Sequence, residues 1–254
     1  MRRIFFILYV VTVVSGLSYA GILLHYGKIS TNVNLSLSPN WVLWLKFDEG
    51  EGNKAYDSSI YNRTISVLGY DVSWESLCKL NKCLKFNYTG DSKNYGDCCV
   101  GEVVLPSVET KGWSIVTWIY LFNITGTYKI AKDNIQVTNG YITCRFNFKS
   151  LNSDVKDYTA PKKLETNKWY FIVCNGFITP ENKGVINITI NNETYSSGIL
   201  GDYYYVTLAQ NSFYIGSDGC GKGTGCVKGK IDDFAVFNVS LSQDEITAEY
   251  LREV

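Results

Sequence analysis

The chain is poor in the residues on which many catalysts depend. It has one histidine in 254 residues, His25, beside an N-terminal apolar run. A serine or cysteine hydrolase of the usual kind needs an imidazole base within its folded part, so that chemistry is argued against. No paired C-x-x-C spacing occurs, and without a second histidine the cysteines do not read as a zinc site. The 24 basic and 24 acidic residues cancel, with no long run of either sign. That leaves no basic stripe for nucleic acid. No internal repeat of roughly 20–50 residues is present, which argues against a propeller or solenoid. Gly216-Ser217-Asp218-Gly219-Cys220-Gly221-Lys222 nearly spells a phosphate loop. Gly223 replaces the required Ser or Thr and a strand follows instead of a helix, so it reads as a tight glycine turn.

Prolines are few, at 4, while aromatics make up 15% of the chain with 19 tyrosines. This balance suits strands. Arg2 and Arg3 precede residues 4–24, which carry no charge. The stretch is long enough for an uncleaved anchor of about 20 residues. Ser18-Tyr19-Ala20 equally supplies a signal-peptidase site. With either fate the arginines stay cytoplasmic and the rest faces outward. Eight cysteines (Cys78, Cys83, Cys98, Cys99, Cys144, Cys174, Cys220 and Cys226) fit an oxidising compartment. Asn-x-Ser/Thr sequons at Asn34, Asn62, Asn87, Asn123, Asn187, Asn192 and Asn238 point the same way, to a glycosylated protein that is secreted or held at the cell surface.

Alternating or apolar segments predict strands at 41–47, 64–68, 83–88, 101–105, 113–122, 128–131, 141–148, 169–177, 185–190, 203–208, 213–215 and 229–237. These imply an all-β fold of two antiparallel sheets. The expected organisation is a leader at 1–26, a linker or extra strand at 27–40, and one sandwich at 41–254. Val33, Leu35 and Leu37 alternate with polar residues, so segment 32–38 could pair with its own sheet or with a second copy, or serve as a stalk.

The closing stretch carries the best chemical clue. In Gly229-Lys230-Ile231-Asp232-Asp233-Phe234-Ala235-Val236-Phe237, strict alternation puts Asp232 on the face of Phe234 and Val236. A carboxylate aimed at the core must be hydrogen-bonded or hold a cation. By the same alternation Asp232 and Asp233 point to opposite faces, and so would not converge on one substrate. Ser242 and Glu245 form a capping box opening a helix of about two turns.

Gly229, Ile231, Asp232, Asp233, Val236, Phe237, Asn238, Leu241, Ser242, Glu245 and Ile246 resemble the closing signature of the laminin G-like domains of the concanavalin A-like lectin and glucanase superfamily. Trp44 to Gly52, with Asp57-Ser58-Ser59 and Asn62, resembles the opening strand and turn, although Ile60 stands where the family usually has glycine. The resemblance selects the jelly roll among sandwiches. It also implies a structural calcium ion on Asp232, with Asp48 or Asp57 nearby. The superfamily's glucanases carry a Glu-x-Asp-x-x-Glu strand, which is absent here, so no enzyme is expected.

Four aromatics have polar surroundings that suit a sugar-stacking platform: Trp74 and the run Tyr203, Tyr204 and Tyr205. Among the cysteines, a local Cys220–Cys226 bridge closes a glycine loop. Cys144 and Cys174 pair by position as neighbours in one sheet, and Cys98 and Cys99 each reach back to Cys78 or Cys83. The functional expectation is a non-enzymatic surface module that binds glycans or neighbouring surface proteins. A structural subunit of a surface layer or filament and a carbohydrate-active enzyme of unrecognised type are the alternatives.

Overall fold

The computed structural model describes residues 40–69, 71–87, 99–219 and 225–252. They all fall in one compact unit, Leu37–Val254. The leader, segment 32–38, Asn34, Cys98 and Cys220 lie outside the described residues.

The strands are β1 Trp41–Leu45, β2 Lys54–Tyr56, β3 Thr64–Leu68, β4 Val72–Glu75, β5 Cys83–Asn87, β6 Cys99–Val104, β7 Gly112–Leu121, β8 Thr127–Ala131 and β9 Ile135–Thr138. They continue with β10 Tyr141–Lys149, β11 Ser153–Lys163, β12 Trp169–Ile178, β13 Lys183–Ile190, β14 Glu193–Ser196, β15 Gly201–Asp202, β16 Tyr205–Leu208, β17 Ser212–Ile215 and β18 Lys228–Phe237, before helix α1, Gln243–Arg252. One sheet runs β14-β13-β12-β7-β18-β5-β4, with β1 on β18 and β15 on β13. The other runs β11-β10-β9-β8-β17-β6-β3-β2, with β16 on β10. The strand pairings that define both sheets are antiparallel.

Two apolar layers hold the sandwich. The larger lies between the sheets and contains Phe47, Trp113, Phe146, Phe148, Phe213 and Phe234. The second covers the outer face of the first sheet, where Trp44, Trp118, Phe171 and Phe237 meet Ile246 and Tyr250 of α1. Strands β7 and β12 are therefore buried on both faces, which is why they read as near-continuous apolar runs. The capping box starts α1: the Ser242 amide donates to Glu245 Oε2 at 2.7 Å, and the Glu245 amide donates to Ser242 Oγ at 3.3 Å. The helix runs ten residues, longer than two turns, because Tyr250 stacks on Trp118 and extends the buried stripe.

The disulfides correct two expectations. Cys144 and Cys174 are joined, with Cα atoms 5.8 Å apart. Their strands, β10 and β12, belong to opposite sheets, so the bond crosses the core and does not link neighbours in one sheet. Cys78 bonds Cys83, not Cys98 or Cys99, and closes the hairpin between β4 and β5. The five-residue separation suits a loop that the sequence offered no strand pairing to anticipate. Cys226 is disulfide-bonded as well.

Candidate functional site

Strand β18 changes partner halfway along. Residues 228–231 pair with β5, whereas Phe234 to Phe237 pair with β1. At the split, Asp232 lies opposite Trp118 and Ala235 opposite Val116, so one extra residue is inserted. Asp233 takes a φ of 46°. This bulge overturns the alternation expected from sequence. An inserted residue flips the faces that follow it. Asp232 is therefore not on the face of Phe234 and Val236. It shares the outer face with Trp118, and Asp233 points the same way, accepting a hydrogen bond from Trp44 Nε1. The two adjacent carboxylates converge on one face, yet both are enclosed, at 0% and 5% exposure.

The Cys78–Cys83 loop roofs this pair. Leu80 donates its amide to Asp232 Oδ2 at 2.9 Å, while Asp232 Oδ1 has no hydrogen-bond partner. Burial pushes the Asp232 carboxyl up to about 8; the Leu80 amide opposes that rise, and the neighbouring Asp233 and Asp48 add to it. Asp48 grips the same loop, accepting from the Lys82 amide and the Asn81 side chain at 3.3 Å each. Lys79 of the roof sits 4.5 Å from the Trp118 ring centroid.

Of the three expected calcium ligands, the structure brings Asp232 and Asp48 to one place and gives Asp57 other work. Asp57 Oδ1 accepts from the amides of Trp44 and Ser59, and Oδ2 pairs with Arg63 at 2.9 Å. No cluster of three or more metal-ligating His, Cys, Asp or Glu side chains occurs among the described residues. The orphaned, buried Asp232 oxygen is a feature that fits a cation. The remaining ligands would have to be backbone carbonyls.

The expected aromatic platform divides. Tyr203 is buried against Phe148, and its hydroxyl donates to Asp154 at 2.5 Å, so it is a packing residue. Trp74 is half-buried on the edge strand β4, donating its indole N–H to the Gly52 carbonyl, and lies at the other end of the sandwich from the tyrosines. Tyr204 and Tyr205 remain exposed, at 54% and 45%. Lys111 supports them, donating to the Tyr204 carbonyl at 2.8 Å and to Asn182, with its ammonium 5.5 Å from the Tyr205 ring. Leu151 and Ile199, 97% and 69% exposed, reach the same end on loops that Tyr204, Tyr203 and Leu200 tie to Lys149, Asn182 and Gly184. Sequence reading passed over both, since a single apolar residue in a polar loop carries no periodic signal.

A laminin G-type family model, described as the concanavalin A-like lectin/glucanases superfamily, matches residues 92–247. The chain belongs to this superfamily. No curated protein compared with the chain matches it. Among solved structures, the receptor binding domain of botulinum neurotoxin D is similar, with a TM-score of 0.60 at 20% identity over 84% of this chain and 53% of that one. The serotype G binding domain gives 0.59 at 18%, over 84% and 51%. A serotype D ligand binding domain in complex with N-acetylneuraminic acid gives 0.58 at 22%, over 84% and 51%. The chain spans about half the length of these toxin domains, and at such identities the likeness is one of fold.

Proposed function

We propose that this superfamily member is a non-enzymatic binding module for glycans or neighbouring surface proteins, exported, glycosylated and displayed at or shed from the cell surface. The observation that carries the reading is the exposed Tyr204 and Tyr205 pair, stiffened by Lys111 and flanked by Asn182 and Asp202, on a fold shared with receptor binding domains. Aromatic faces beside polar side chains suit the apolar C–H face and hydroxyl rim of a sugar ring. The disulfides and the exposed sequon asparagines Asn62, Asn87, Asn123 and Asn192 support export and glycosylation. No helix among the described residues is long and apolar enough to cross a membrane. Burial of the Asp232 and Asp233 pair supports the non-enzymatic reading, because a substrate cannot reach carboxyls that are covered by a disulfide-closed loop.

The orphaned Asp232 oxygen favours one addition: a structural calcium ion held by Asp232 and Asp48, bridging β18 to the Cys78–Cys83 loop. A glycan array probed with the protein and with its Tyr204→Ala/Tyr205→Ala variant tests the binding role. Binding lost in the variant, whose thermal midpoint should stay close to that of the parent, is the expected result. Silence of the parent on glycans and on surface-protein partners would leave a scaffold role, and turnover of a polysaccharide would establish an enzyme.

A further inference from the structure

A cleft of about 330 Å³ opens on the outer face of the first sheet, where the first turn of α1 crosses β12, β13 and β14. Its walls are built and fixed. Gly112 lets residues 238–242 lie directly on β7, since a Cβ there would stand 2.3 Å from the Ser240 nitrogen. Asn175 then clamps Leu241 from both sides, donating to its carbonyl at 2.8 Å and accepting from its amide at 3.2 Å. On the far side Thr194 donates to Gln243 Oε1 at 3.0 Å, tying β14 to the helix.

None of the lining residues is charged. The α1 N-terminus is not free for an anion either, because the capping box and Asn175 already use the amides of Glu245, Ser242 and Leu241. What remains is an acceptor without a partner, Asn187 Oδ1, which lies directly opposite Asn175 in the β12–β13 ladder. With it come the Gln243 amide nitrogen, the Ser240 hydroxyl, and an apolar surface from Phe177 and Ile246.

We propose that this cleft is a neutral saccharide site, separate from Tyr204 and Tyr205. Sugar hydroxyls both donate and accept, so one ring can satisfy Asn187 Oδ1 and accept from Gln243 while its C–H face rests on Phe177. A cleft of this size suits a small ligand. The sugar has two sources: a glycan of another molecule, or the chain's own, since Asn187-Ile188-Thr189 is a sequon whose side chain lines the cleft.

The full chain, made in the oxidising periplasm of a bacterium that adds no N-glycans, is titrated with N-acetylglucosamine, galactose and N-acetylneuraminic acid by amide NMR. The neutral sugars should shift Phe177, Gln243 and Ile246 with a dissociation constant on the order of a millimolar, as ligands of few atoms do. N-acetylneuraminic acid, an anion, should bind at least about tenfold more weakly. Gln243→Ala and Asn187→Leu should each weaken the neutral sugars about tenfold. Tyr204→Ala should not. Protein from a glycosylating host, digested for mass spectrometry, separates the sources. A glycan on Asn187 together with lost binding of free sugar assigns the chain's own, whereas an unmodified Asn187 with binding retained assigns a partner's. No saturable shift at these residues, or equal binding of the anion, or binding unchanged in Gln243→Ala and Asn187→Leu, would overturn the proposal.

Discussion

Asp232→Asn isolates the cost of the enclosed carboxyl. With its folded value pushed up to about 8 and an unfolded value near 3.9, Asp232 holds its proton in the native state across a range where the unfolded chain has lost it. Between those limits the native state binds more protons, so stability falls as pH rises, by about 1.4 kcal/mol per unit. Over roughly four units the ceiling is about 6 kcal/mol, fully lost above pH 8 and restored below pH 4. Asparagine keeps an oxygen to accept from the Leu80 amide and removes the titration. In chelator, urea unfolding of the parent from pH 5 to 8.5 should show the midpoint falling while the slope m stays constant. The variant should lack this fall and be the more stable protein above pH 8 by a few kcal/mol. Calcium, if held there, inverts the order, because it binds the ionised carboxylate. At a hundredfold excess over its dissociation constant it should raise parental stability by about 2.7 kcal/mol at pH 8 and leave Asp232→Asn unmoved. A parental stability in chelator that is flat, or that rises with pH relative to the variant, would refute the buried neutral acid. No calcium response in the parent would refute the cation.

Two further changes probe the frame around the site. Asp57→Ala removes the partner of Arg63 and of two buried amides, and should cost about 3–5 kcal/mol by urea unfolding, equally with and without chelator, as suits a structural carboxylate and not a metal ligand. Cys144→Ser with Cys174→Ser opens a link spanning 30 residues across the two sheets, and should cost about 3–4 kcal/mol at 25 °C.

The parts of this fold that were legible in the sequence are those whose environment repeats along the chain. Strands β7 and β12 are covered on both faces, so their composition is apolar almost throughout and their existence needed no register. The capping box was legible because it depends on two residues three apart, with no tertiary partner. Strand β11, SDVKDYTAPKK, was missed for the opposite reason. It is an edge strand with one face in solvent and the other only half covered, and it carries Pro161 where an edge tolerates it. The short strands β2, β4, β9, β14 and β15 offer too few residues for a period to emerge.

The misplaced face of Asp232 has a deeper cause, and it ties the site to the topology. Alternation is a property of an uninterrupted ladder, whereas β18 is shared end to end between two partners, β5 and β1. Between them the strand has no neighbour on that edge, and the chain there can absorb an extra residue without losing ladder bonds to a partner that is not present. Two acidic side chains occupy that gap, and each replaces something the sheet does not supply: Asp233 receives the Trp44 indole of β1, and Asp232 receives the Leu80 amide of the loop leading into β5. The carboxylates thus join the two halves that the ladder leaves separate. A nonpolar pair would lose both links. The position that departs from the strand pattern is therefore the one where the sheet changes partner, and the same gap encloses the only carboxyl among the described residues whose charge the fold suppresses so strongly.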